Sequence, residues 1–204
     1  MVISHKYRYV FVQTMKTATS AIARELRDNY NGEMILEKHS TIADFLAQAS
    51  EDEKTYFTFA GVRNPLDVLV SRFELRKNGR NSNADHREQQ DFILQSGGDF
   101  NEFFLEYMVR REHPRYGFAI VPGDWMTESF QSIDYIYHYE ELATAFPEIL
   151  QRISIAPLRD LPMFNQTKGK RPFLDYYNAE TLQLANQLFA NYMQRWGYRS
   201  SVEK

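Results

Sequence analysis

Two short segments carry side chains suited to holding anions. Lys16-Thr17-Ala18-Thr19-Ser20 sets one ammonium among three hydroxyls. It follows the aromatic and β-branched run Tyr7–Val12, and it leads into Ile22, Ala23 and Leu26 at helical spacing. A strand, a short polar loop and a helix start present free N–H groups and a positive dipole end to an anion. The second segment runs from Arg63 to Ser71. Arg63 leaves an apolar strand, and its guanidinium fork suits a phosphate. Ser71 lies two turns into the following helix and can donate from the same side. A third residue, His39 in Glu37-Lys38-His39-Ser40-Thr41, lies between the first helix and the second strand. The remaining histidines, His5, His86, His113 and His138, are set aside as incidental or in variable stretches.

These groups need a frame. The pattern predicts strands at Tyr7–Val12, Thr55–Val62 and Ile133–Tyr137. Helices are expected at Thr19–Asn29, after a cap at Ser40 or Thr41, and from Pro65 behind an Asn64 cap. Further helices are expected at Phe100–Arg111 and Glu140–Ile153, where Pro147 restarts the helix. A last helix starts at Asn178 and stops at Gly197. Lys77–Asp91 is almost without apolar residues and reads as a surface loop. Ala156–Asp175 reads as a long loop. Strands alternating with helices imply an α/β fold with a mostly parallel sheet, which places ligands at the carboxyl ends of the strands. The turns after Val12 and Val62 occupy that place.

Composition narrows the function. The chain has 204 residues, which suggests a single domain over 1–204. The formal net charge of -3 gives no global basic field for nucleic acid. Cysteine is absent, which removes disulfides, thiolate metal sites and cysteine nucleophiles together. The first residues lack the apolar run of a signal peptide, and no stretch reaches the roughly 20 apolar residues of a membrane helix. A soluble, cytoplasmic protein is expected. The first loop holds no glycine, and G-x-x-x-x-G-K-[ST] is absent, so an ATP site of the Walker type is disfavoured.

Lys16-Thr17-Ala18-Thr19-Ser20-Ala21-Ile22 resembles the 5′-phosphosulfate loop of the sulfotransferase family, with Ala18 where K-T-G-T-T-A-L has glycine. Ala18 there would need a backbone angle that glycine accepts more easily. Val62-Arg63-Asn64-Pro65-Leu66-Asp67-Val68-Leu69-Val70-Ser71-Arg72-Phe73 resembles that family's 3′-phosphate motif, with Val68 in place of an arginine. Thr167-Lys168-Gly169-Lys170-Arg171-Pro172 resembles its basic loop over the nucleotide, and Tyr139-Glu140-Glu141-Leu142 its short Y/F-E-x-L segment. The resemblance implies a three-layer, P-loop-NTPase-like fold. It also implies 3′-phosphoadenosine 5′-phosphosulfate (PAPS) as sulfuryl donor, bound by Lys16, Thr17, Ala18, Thr19, Ser20, Arg63, Ser71, Lys168, Gly169, Lys170 and Arg171.

The chemistry implied is transfer of the sulfuryl group to an acceptor hydroxyl, tilted toward a carbohydrate, with a small alcohol still open. Lys16 would neutralise charge growing on the leaving 5′-phosphate. His39, placed like a functional His of some glycan sulfotransferases, would be the general base that takes the acceptor proton, with Glu33 and Glu37 as competitors because other family members use Glu. No metal is expected. Arg76, Lys77, Arg80, Arg110, Arg111 and Arg115 could line a cleft for an anionic glycan. Two other readings stand beside this one: a non-catalytic nucleotide-binding protein of the same fold, and an ATP-dependent small-molecule kinase. The oligomeric state is not legible.

Overall fold

A computed structural model describes residues 1–79, 83–110, 128–162 and 169–199. In chain order the elements are β1 (Val2–Ser4), β2 (Tyr9–Val12), α1 (Thr19–Asn29), β3 (Glu33–Met34), α2 (Ile42–Leu46) and β4 (Phe57–Val62). There follow α3 (Pro65–Lys77), α4 (Ala84–Gln95), α5 (Phe100–Phe104), β5 (Tyr135–His138), α6 (Leu142–Arg152), α7 (Ala179–Leu188) and α8 (Ala190–Arg195). They fall into two compact units, Met1–Arg63 with Asp124–Gln166, and Asn64–Gly123 with Thr167–Lys204.

The first unit is built on a five-stranded sheet in the order β3-β1-β2-β4-β5. β4 runs parallel to both β2 and β5, as expected. β1 is antiparallel to β2 and to β3, so the sheet is mixed and not mostly parallel. The difference comes from a tight return between Ser4 and Tyr9, where Arg8 takes a φ of 55°. Val2-Ile3-Ser4 is too short to announce itself as a strand, yet all three residues are buried.

Residues that alternate along the strands share a face. Tyr9 and Phe11 of β2 join Phe59 of β4 and Tyr137 of β5 in one buried cluster. α1 covers it with Ile22 and Leu26, and α6 with Phe146, Ile149 and Leu150. Phe11 stacks on Phe59 at 4.9 Å between ring centroids. Pro147 lies inside a continuous α6 and does not restart it. It is the sixth of eleven residues, past the first turn, so it costs one ladder hydrogen bond, while the apolar face on either side remains continuous.

The second unit centres on α3. Asn64 caps it, its side chain accepting from the Leu66 N–H at 2.9 Å, with Pro65 at the first helical position. Leu66, Leu69, Val70 and Phe73 are buried with Phe100, Phe103 and Tyr176. Phe73 meets Phe100 edge to face at 5.4 Å. The expected loop Lys77–Asp91 is in large part helix: α4 starts at Ala84 behind an Asn83 cap. Its buried residues are Gln89 and Ile93, so the inward stripe is half polar and gave no apolar period. The helix expected over Phe100–Arg111 is α5 followed by wider π-type turns at Leu105–Arg110. The last helix is broken at Phe189 into α7 and α8.

Candidate anion-binding site

The loop after β2 is fastened at several points within the first unit. Thr14 donates its hydroxyl hydrogen to the Gly61 carbonyl at 2.6 Å, tying the loop to the end of β4. Thr17 is fully buried, and its hydroxyl lies 2.9 Å from that of Thr14. The Tyr137 hydroxyl donates to the Thr17 carbonyl at 2.9 Å. The Thr17 side chain therefore faces the interior, and its N–H is the group it offers outward. Burial raises the Tyr137 phenol well above its ordinary range, and the Thr17 contact partly offsets this.

The backbone alternates in hand. Lys16 has φ 65° and Ala18 has φ 62°, with Thr17 between them at negative φ. Such alternation turns successive N–H groups toward one concave side, which is an anion-binding nest. The Lys16 carbonyl accepts from Arg63 Nη1 at 2.8 Å. Two consecutive carbonyls, of Lys16 and Thr17, are thus held by donors. In a trans peptide the N–H points opposite to the C=O. Holding those carbonyls orients the N–H groups of Thr17 and Ala18 away from Arg63 and Tyr137. No side chain caps α1 at Ala18; the Ala21 N–H turns back to the Ala18 carbonyl at 2.9 Å, and the N–H groups of Thr19 and Ser20 are those the helix start offers an anion. The left-handed angle foreseen for Ala18 is present, at a cost of about 1–2 kcal/mol for a residue with a Cβ.

Thr19 is buried and Ser20 is exposed at the start of α1. Lys38 donates to the Ser20 hydroxyl at 3.0 Å, which sets a second cation beside the helix start. Its neighbour His39 has φ 74° and places Nδ1 2.7 Å from the Gln13 carbonyl. A carbonyl only accepts, so Nδ1 carries the hydrogen. A neutral ring then keeps its lone pair on Nε2. The segment between β3 and α2 thereby brings Lys38 and His39 to the two ends of the loop. Glu33 and Glu37 are exposed.

Arg63 is only 6% exposed. Its guanidinium carbon lies 3.9 Å from the centroid of the Tyr139 ring. The fork is therefore braced on one face by an aromatic ring and on one edge by the Lys16 carbonyl.

The other expected residues belong to the second unit. Ser71 is buried in α3, and so is Val68, which sits where the motif has arginine. Lys170 is paired with Asp67 of the first turn of α3. Arg171 lies over the Tyr176 ring at 4.8 Å, and Tyr176 donates to Glu74. Gly169 takes φ 74°. Lys168 lies outside the described residues, as do Arg80, Arg111 and Arg115. Arg76, expected to line an open cleft, is 3% exposed, with Nε donating to Gln89 at 3.2 Å. Arg110 pairs with Glu102 at the surface.

Sequence reasoning missed Gly61, Tyr137 and Tyr139 as supports of the loop. A Cβ on Gly61 would collide with the Tyr137 ring, which is why glycine stands there. The signal for the tyrosines was their alternation at the end of β5, but nothing local named their partners.

The chain matches the sulfotransferase family over residues 1–199 and belongs to that family. No curated protein and no solved structure matches it. Among the described residues, no group of three or more His, Asp or Glu side chains is arranged to hold a metal, and no helix is long and apolar enough to cross a membrane.

Proposed function

We propose that the protein transfers a sulfuryl group from PAPS to an acceptor hydroxyl, on a carbohydrate. The observation that carries this reading is the nest at Lys16–Ala18, aimed by Arg63 and Tyr137 and continuous with the start of α1. The family match spans both units, which supports reading the chain as one sulfotransferase domain of the three-layer, P-loop-like kind.

The 5′ end of the donor sits on the nest. Thr17 and Ala18 supply N–H groups, Ser20 a hydroxyl, and Lys16 a charge that neutralises the bridging oxygen as the S–O bond breaks. Arg63 and Ser71 take the 3′-phosphate, and Gly169, Lys170 and Arg171, with Lys168, close over the nucleotide. His39, with its lone pair on Nε2, removes the acceptor proton as the new O–S bond forms. The products are the sulfate ester and adenosine 3′,5′-bisphosphate.

Incubation with sulfur-labelled PAPS and a panel of hexose, hexosamine and small-alcohol acceptors tests the reaction. Label should pass to a carbohydrate hydroxyl, with one bisphosphate released per transfer. Transfer only to small alcohols would overturn the acceptor class. No transfer, with bisphosphate still bound, would leave a binding protein in place of an enzyme.

A further inference from the structure

Three contacts form a chain running from the end of β5 to the anion loop, all inside the first unit. Tyr137 donates to the Thr17 carbonyl at 2.9 Å. Tyr139, two residues on, has its ring beneath Arg63, with 3.9 Å between the guanidinium carbon and the ring centroid. Arg63 in turn donates to the Lys16 carbonyl at 2.8 Å. The two consecutive carbonyls of the nest are therefore set, directly or through one arginine, by two tyrosines of a single short segment.

We infer that Tyr137 and Tyr139 are positioning residues of the donor site, and that Arg63 shapes the 5′ loop in addition to any phosphate it holds. The inference rests on the donor reading above and deepens it. Lys16 and Ala18 occupy left-handed conformations that a residue with a Cβ leaves unless its surroundings hold it. The holding groups are the Arg63 fork on the Lys16 carbonyl and the Tyr137 hydroxyl on the Thr17 carbonyl. If either carbonyl rotates, its N–H rotates with it, because the peptide is planar. The nest then loses a donor while Lys16 keeps its charge. Tyr139 acts one step removed. Its ring face attracts the cation and keeps the guanidinium plane from turning. Gly61 completes the arrangement, since any larger residue would push the Tyr137 ring off its path to Thr17.

The chain of contacts couples the two ends of the donor. A 3′-phosphate that orders Arg63 also orders the Lys16 carbonyl, and so prepares the 5′ cradle. Loss of the tyrosines should therefore be felt at the 5′-phosphate, although neither side chain touches it.

The test compares affinities for adenosine 3′,5′-bisphosphate and adenosine 3′-monophosphate in the full chain. Their ratio reads the contribution of the 5′-phosphate alone. Wild type, Tyr137→Phe, Tyr139→Leu and Tyr139→Phe are measured, each with its melting temperature. Tyr137→Phe and Tyr139→Leu should shrink the ratio by about tenfold, the loss expected for one charge-assisted hydrogen bond. Tyr139→Phe keeps the ring face and should restore the wild-type ratio. A ratio unchanged in both loss variants, whatever happens to the melting temperature, overturns the inference. Should Tyr137→Phe fail to fold, Tyr139→Leu carries the same decision. A wild-type protein that does not prefer the bisphosphate overturns the donor reading itself, a different result from an unchanged preference.

Discussion

Arg63 Nη1 donates to the carbonyl of Lys16 at 2.8 Å, so the residue expected to hold the 3′-phosphate also holds the loop expected to cradle the 5′ end. The contact spans 47 positions in sequence and lies within one compact unit.

Replacing Arg63 should therefore do two things. Arg63→Ala removes a phosphate ligand and releases the Lys16 carbonyl. Affinity for the bisphosphate should fall by about 10- to 100-fold, the range for losing a hydrogen bond to a charged group. Arg63→Lys restores charge but neither the fork nor the planar group over the Tyr139 ring, and should recover little of the loss. Titration calorimetry on the two variants checks this. Full recovery by lysine would reduce Arg63 to a point charge.

His39 sits with Nδ1 on the Gln13 carbonyl, which fixes the ring beside the start of the loop. His39→Ala should lower turnover by about 10²- to 10⁴-fold, the usual contribution of a general base. Bisphosphate affinity should hold within about twofold, because the nest and Arg63 are untouched. Steady-state rates with the best acceptor, set beside binding, check both halves. Unchanged turnover would return the role to Glu33 or Glu37.

Ala18 has φ 62°. Ala18→Gly releases about 1–2 kcal/mol of left-handed strain and costs about 0.4–1 kcal/mol through a freer unfolded chain. A small net gain in stability is expected, with the nest intact. Ala18→Val, branched at Cβ, should lose stability and bisphosphate affinity together. Thermal melts with and without the bisphosphate check the pair.

His86 gives a pH dependence. Burial, then Arg76, then Arg72 push its pKa down to about 4, against an ordinary 6.5, with the Asp85 charge opposing. Between those values the unfolded chain takes up a proton that the folded protein refuses. Folding stability should therefore fall as the pH drops from 6.5 toward 4. His86→Gln should flatten this part of the curve. Melting temperatures of both proteins across that window check it. Parallel curves would remove His86 as a contributor.

Features written in adjacent residues were legible. The Thr19–Asn29 helix, the Asn64-Pro65 start of α3 and the Asn178 cap follow from side chains acting within a few positions of themselves. Ala18 was legible as an anomaly because only a backbone angle explains a residue standing in glycine's place. β1 escaped because three residues carry no period, and its burial is decided by pairing with β2. α4 escaped because Gln89 takes an inward position that a period search expects to be apolar. Tyr137 meets Thr17 across 120 positions, a pairing that no local pattern encodes. The same holds for Tyr139 on Arg63. The loop's residue types were readable, but the groups that set its shape were not.

On the proposed function, this site takes a nucleotide phosphorylated at both 3′ and 5′ positions. The most direct measurement is thermal stabilisation by adenosine 3′,5′-bisphosphate, set against adenosine 5′-phosphate and ATP–Mg²⁺ at equal concentration. A ligand that binds only the folded state raises the melting temperature by mass action. The bisphosphate should raise it most, without any requirement for Mg²⁺. Equal shifts for all three nucleotides, or a larger one with ATP–Mg²⁺, would contradict the account.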